Sequence, residues 1–217
     1  MRSLIPVLAL LTGAAALAVG GWQQHQARQE RAALQQQQPS PIDIRFAQFM
    51  AQHHEQALVI AQTLLDAPPG AAALLAQGVR NQQLLELGQM HGWLRLWEQP
   101  AVPPSKSMDW MLLGQAPPDP ELRQYLLDCQ RASTGMPGLA SPEDLQTLRA
   151  ASGLERQRWF LELMRRHHQG GLPMARFAAR EARLPAVREL AARIVREQSE
   201  EVMTIRSIQA RLDAGAD

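Results

Sequence analysis

A methionine stands three residues before a pair of adjacent histidines twice in this chain of 217 residues. The first instance is Met50, His53 and His54; the second is Met164, His167 and His168. The chain has only six histidines, so most of its imidazole is invested in these two clusters. Imidazole suits copper and zinc, and a thioether favours Cu(I). On a helix, residues three and four apart share a face, so Met50 neighbours both His53 and His54. Consecutive residues diverge by about 100°. The two histidines of a pair therefore cannot both point straight into a core. One faces the interior, the other an adjacent helix or a groove. Each helix offers a thioether and at most two imidazoles, and two such helices could converge to complete a site. Thioether ligands also avoid the disulfide chemistry that a thiol risks outside the cytoplasm.

Met174 extends the second cluster along the same helical stripe, where the first half has Ile60 and Ala61. Further candidate ligands are Met90 and His91, the carboxylates of Asp43, Glu86 and Glu201, and the loop methionines Met108, Met111 and Met136. Each has a plainer reading. A methionine at helical spacing is usually core filler, and a buried histidine is often a hydrogen-bonded structural group. Glu86 and Glu201 read as polar contacts inside the fold or as partners that orient a histidine. Ala57 and Gly171 read as positions where helices approach closely. The lone Cys129 reads as a small buried residue, which excludes an internal disulfide and a cysteine zinc site. His25 is incidental. None of the six histidines has a glutamate three residues before it, which argues against a di-iron oxidase, and no nucleophile–base constellation is evident. No catalytic residue is assigned, and the chain is expected not to be an enzyme.

The elements that must position these residues read as helices. The chain is rich in Ala, Leu, Gln, Arg and Glu, and no stretch alternates with a strand's period. Formal charge is +1, with 22 basic and 21 acidic residues, so no basic excess points to nucleic acid. Residues 1–22 carry Arg2 and then an apolar run, and read as a signal peptide or N-terminal membrane anchor. Residues 23–39 are polar and Gln-rich and read as a tether rather than a packed element. Ser40, Pro41 and Asp43 form a helix start. The helix runs to about Asp66 and ends at Pro68-Pro69-Gly70. A second spans about 71–98. Short helices are expected over 119–131 and from Pro142, then long ones over about 154–183 and 185–212. Pro173 should kink the helix that contains it.

The two halves repeat. Phe46, Met50, His53, His54 and Ala57 match Phe160, Met164, His167, His168 and Gly171, each 114 residues on. Val79, Gln83, Glu86 and Leu87 match Ile194, Gln198, Glu201 and Val202, each 115 residues on. The fold class is therefore all-α: a four-helix bundle made of two repeated helical hairpins over residues 40–213, with halves of about 40–99 and 154–213 and short helices in the central connection.

The pattern resembles the bacterial DUF305 family, whose hallmark M-x-x-H-H-x-x-A stands here as Met50 to Ala57 and, with a terminal glycine, as Met164 to Gly171. The family's Q-x-x-E-hydrophobic segment stands as Gln83 to Leu87 and Gln198 to Val202. Its tryptophan-rich helix end is similar to Trp93 to Trp97. The resemblance covers roughly residues 41–212. It implies a ferritin-like bundle and, from some members, extracytoplasmic copper binding. The expectation is an exported metal-binding protein, with copper as its metal, that sequesters copper or delivers it to a copper-handling protein. It would lie in the periplasm or at the cell surface and touch the membrane only through an uncleaved N-terminal segment. The alternative is a metal-free interaction module tethered at the membrane surface. One departure stands out: Asp43 is matched by Gln157, so the second half lacks that carboxylate.

Overall fold

The computed structural model describes residues 20–31, 35 and 37–215. The chain divides into two units, Met1–Gln38 and Pro39–Asp217. In the first unit the expected signal or anchor lies almost wholly outside the described residues. A helix over residues 20–31 takes in the end of that segment and the start of the expected tether, and it is exposed along nearly all its length. Its Gln, Ala, Arg and Glu residues are good helix formers, in keeping with this local structure.

The second unit contains α1 (Pro41–Leu65), α2 (Ala73–Leu96), a 3-10 turn (Asp109–Leu112), α3 (Pro120–Arg131), α4 (Pro142–Ala150), α5 (Gly153–Glu181) and α6 (Pro185–Asp213). No strand occurs among the described residues. α1 starts as its sequence dictates: Ser40 caps Asp43 N–H, Asp43 returns a bond to the Ser40 backbone, and Pro41 opens the first turn. Ser141 and Asp144 repeat this capping box at α4. α5 runs on through Pro173 to Glu181.

α1 packs on α2, α5 packs on α6, and the two histidine-bearing helices α1 and α5 pack on each other. α1 and α5 are antiparallel. The start of α1 meets the end of α5, where Asp43 accepts the backbone N–H groups of Arg183 (3.2 Å) and Leu184 (2.9 Å). The start of α5 meets the turn after α1, where Gln157 accepts the N–H of Ala72 (3.2 Å). Leu184 and Ala72 are the N-cap residues of α6 and α2. Asp43 and Gln157, at matched positions, therefore do one job: each caps the turn of the other hairpin. The departure from symmetry is chemical, not architectural.

Two apolar clusters fill the bundle. One gathers Phe46, Met50, Met90, Met174 and the loop residues Met108, Trp110, Met111 and Met136. The other gathers Ile60, Val79, Phe160, Met164 and Ile205. The loop is pinned by Trp110, which stacks on Phe49 (centroids 6.1 Å apart) and meets Phe177 edge-on (5.5 Å). Each buried aromatic of this kind stabilises the fold by about 1.5–3 kcal/mol.

The N-cap residue of α2, Ala72, has no side chain that can cap the helix, and α2 carries three interior glycines, Gly78, Gly88 and Gly92. A Cβ added at any of them would meet nothing within 4 Å. Gly78→Ala should therefore raise the unfolding free energy by about 0.4–1 kcal/mol, read from a urea denaturation curve.

Candidate metal centre

The histidines lie at mid-length of α1 and α5, where the antiparallel helices cross. His53, His54, His167 and His168 are all fully buried. The rings of His53 and His167, the matched residues of the two repeats, lie with centroids 3.7 Å apart. His167 Nε2 lies 2.9 Å from the His53 carbonyl oxygen and donates to it. The outer histidines turn to the flanking helices, as the 100° divergence requires. His54 Nε2 bonds Glu86 Oε2 on α2 at 2.7 Å. His168 Nε2 stands 2.7 Å from Glu201 Oε2 on α6, at ion-pair distance but without hydrogen-bond alignment. Glu86 thus holds the His54 ring by a hydrogen bond, while Glu201 stands beside the His168 ring.

Gly171 makes the close inner contact possible: a Cβ there would lie 2.8 Å from His53 Cε1. Gly170 does the same for the 137–138 turn, with an added Cβ 2.0 Å from the Pro137 carbonyl oxygen. Tyr125 donates to the Gly170 carbonyl at 3.1 Å, securing α3 to α5 beside Pro173.

Burial first, and then the neighbouring imidazoles, hold His53 and His167 well below the usual histidine range. Both are neutral at pH 7, the form that ligates metal. Burial works to raise Glu86, but the His54 and Gln82 contacts hold it below the usual carboxylate range. Glu197 is pushed up to about 7 by burial and then by the charge of Glu86. Gln82 joins these two carboxylates, donating to Glu86 (3.2 Å) and Glu197 (2.9 Å).

The Nδ1 atoms of all four histidines are buried and have no hydrogen-bond partner, and neither does Nε2 of His53. With Nε2–H directed at the His53 carbonyl, the neutral His167 ring carries at Nδ1 a lone pair with nothing to accept. Leaving such atoms unpaired costs about 1–3 kcal/mol each. The amides of Gln83 and Gln198, one turn before Glu86 and Glu201, are also buried and unpartnered. They were not among the expected site residues, although their recurrence 115 residues apart was a signal available in the sequence.

The other expected ligands are spread more widely. Met50 and Met164 are fully buried, one in each apolar cluster, so they flank the histidine layer from opposite sides. Met174 and Met90 lie in the first cluster with Met50. Met108, Met111 and Met136 pack at that same end as apolar residues. His91 is half-buried and paired at 3.7 Å with Glu55. Asp43 is occupied as a cap. Among the described residues no three His, Cys, Asp or Glu side chains are gathered around one metal position.

An antiparallel bundle of two repeated hairpins, with a layer of four buried histidines between two apolar cores, defines the class. The DUF305 family, a domain of unknown function, matches residues 43–209, and the chain belongs to that family. No curated protein sequence matches it. A DUF305 protein from Streptomyces coelicolor is similar in structure (TM-score 0.67, 26% identity, 79% of this chain and 94% of that one). So is a DUF305 fragment from Deinococcus radiodurans (TM-score 0.60, 28% identity, 80% and 99%). CopM in its Cu(II)-bound form shares the fold at 22% identity (TM-score 0.55, 76% and 93%), as does its Cu(I)-bound form (TM-score 0.53).

Proposed function

We propose that this protein is an exported copper-binding bundle that sequesters copper or passes it to a copper-handling partner. The observation that carries the reading is the set of four buried histidine Nδ1 atoms in one layer, none with a hydrogen-bond partner. Ring nitrogens left without partners in a dry core are costly, and a metal ion would take up the lone pair that each neutral ring carries. His53 and His167 are the central donors, with the thioethers of Met50 and Met164 beside them. Glu86 and Glu201 fix the outer rings, as carboxylates commonly do behind histidine ligands. The bound metal supplies no chemistry in this reading; it is cargo. CopM, which shares the fold, has been solved with Cu(I) and with Cu(II) bound. Export is supported by the apolar N-terminal run and by the Streptomyces coelicolor relative, described as a candidate secreted protein. Among the described residues no helix is long and apolar enough to cross a membrane.

A second reading takes the histidines as architecture. It is favoured by the His54–Glu86 bond and the His167 bond to backbone, which would hold those rings without any metal.

An anaerobic Cu(I) titration of residues 39–217 against a chromophoric chelator separates the two. The parent should compete for copper, and His53→Ala/His54→Ala and His167→Ala/His168→Ala should each lose that competition. Failure of the parent to compete for Cu(I), and then for Cu(II), would leave the architectural reading standing.

A further inference from the structure

The outer face of α2 presents an uncharged stripe whose leucines and glycines the monomer leaves uncovered, while its two polar members are engaged, Gln89 accepting from Arg193 (2.8 Å) and Asn81 from Arg80 (3.3 Å). Leu74, Gly78, Asn81, Leu85, Gln89, Gly92 and Leu96 follow helical spacing along the side opposite the core, and all are exposed. The three leucines are 83%, 70% and 78% exposed. At repeat-matched positions α6 carries Glu189, Arg193, Arg196, Glu200, Thr204, Ser207 and Arg211. The same face of the same fold is thus charged in one half and Leu/Gly in the other. Solvent exposure explains the first and not the second. The open glycines sharpen the contrast, because they weaken a helix and here admit no neighbour.

The stripe is palindromic about Leu85. Leu74 and Leu96 are equidistant from it, as are Gly78 and Gly92, with Asn81 and Gln89 between. A two-fold interface requires one surface to complement itself. When two α2 helices pack antiparallel about Leu85, Leu74 lies opposite the partner's Leu96 and Gly78 opposite the partner's Gly92. Leu85 meets its own copy, and the missing Cβ atoms let the backbones come close. The 11-residue spacing of the leucines keeps them in line along nearly straight helices. A membrane surface fits less well, since the stripe lacks the Lys and Arg that interfacial helices carry.

We propose that α2 is the interface of a two-fold homodimer of this chain, centred on Leu85. One helix face about 33 Å long is smaller than a standard interface, so the dimer forms at micromolar concentrations and above. The test uses the detergent-solubilised full chain. Light scattering at about 100 μM should give the dimer mass for the parent and the monomer mass for Leu85→Arg, with unchanged circular dichroism. Mild oxidation with diamide should link Leu85→Cys to its own copy at least about tenfold more than Leu84→Cys, whose side chain is exposed but lies about 100° round the helix. A monomeric parent overturns the proposal, whether residues 1–38 cover the stripe or nothing does. So does equal cross-linking at the two positions, or a Leu85→Arg variant that remains dimeric.

Discussion

The metal-free bundle should lose stability steeply as the pH falls below about 6.5. His53 and His167 are held well below the usual histidine range by burial first and by neighbouring imidazoles second. The folded state keeps both neutral, while the unfolded chain protonates them near 6.5. Below that pH the unfolded state binds more protons, so stability declines on acidification. The limiting slope is about 1.4 kcal/mol per pH unit for each imidazole and about 2.7 for the pair, down to the folded-state values. Glu86, held low in the fold, adds a further loss beneath about pH 4.5. Glu197 acts in the opposite sense. It is raised to about 7, so its contribution is present below about 4.5 and is lost as the pH rises toward 7. Glu197 is only half-buried, and solvent screening keeps that opposing effect the smaller one. Urea denaturation from about pH 7.5 to about pH 5 checks the balance. The midpoint of the parent should fall sharply, and that of His53→Gln/His167→Gln should fall much less. An unmoved parent midpoint would mean that water reaches these rings and that they are not dry.

Gly138→Ala and Gly170→Ala should each cost about 3 kcal/mol or more. The two glycines form one crossing. Gly138 has φ +85° and its absent Cβ would stand 2.3 Å from the Arg166 carbonyl oxygen. Across from it, a Cβ on Gly170 would stand 2.0 Å from the Pro137 carbonyl oxygen and 2.8 Å from Gly138 Cα. Backbone meets backbone, so neither side can swing away as a side chain would. Gly171→Ala is a different case. Its clash is with the His53 ring, which can rotate, so it should cost about 1–2 kcal/mol in stability but displace the central histidine. Thermal melts of the three variants should rank them in that order. Copper competition should then change most, relative to lost stability, in Gly171→Ala. If Gly138→Ala melts with the parent, the 137–138 turn does not lie against α5.

Much of the fold was legible because helices announce themselves locally. The capping boxes at Ser40 and Ser141, the prolines at the first turns and the 114- and 115-residue repeats place every long helix to within about two residues. The repeat also singles out the four histidines that the fold buries together. What no local pattern carries is which nitrogen meets which oxygen. The divergence of each His-His pair permits an inward and an outward ring. Only the crossing of α1 over α5 decides that His53 and His167 meet, while His54 and His168 reach Glu86 and Glu201.

Asp43 shows the same limit. Sequence places it in the first turn of α1 and makes it a possible ligand, because a carboxylate's chemistry is the same whatever it touches. The tertiary structure occupies it with N–H groups 140 and 141 residues away. Met108, Met111 and Met136 likewise read as loop methionines available for metal, until the loop folds back and buries them as apolar packing. Sequence by itself determined the helices, the duplication and the donor types, since those follow from propensity, spacing and side-chain chemistry. The tertiary structure decided the antiparallel crossing, the burial that keeps the central histidines neutral and the pairing of the outer ones. Each of those depends on contacts between residues far apart in the chain.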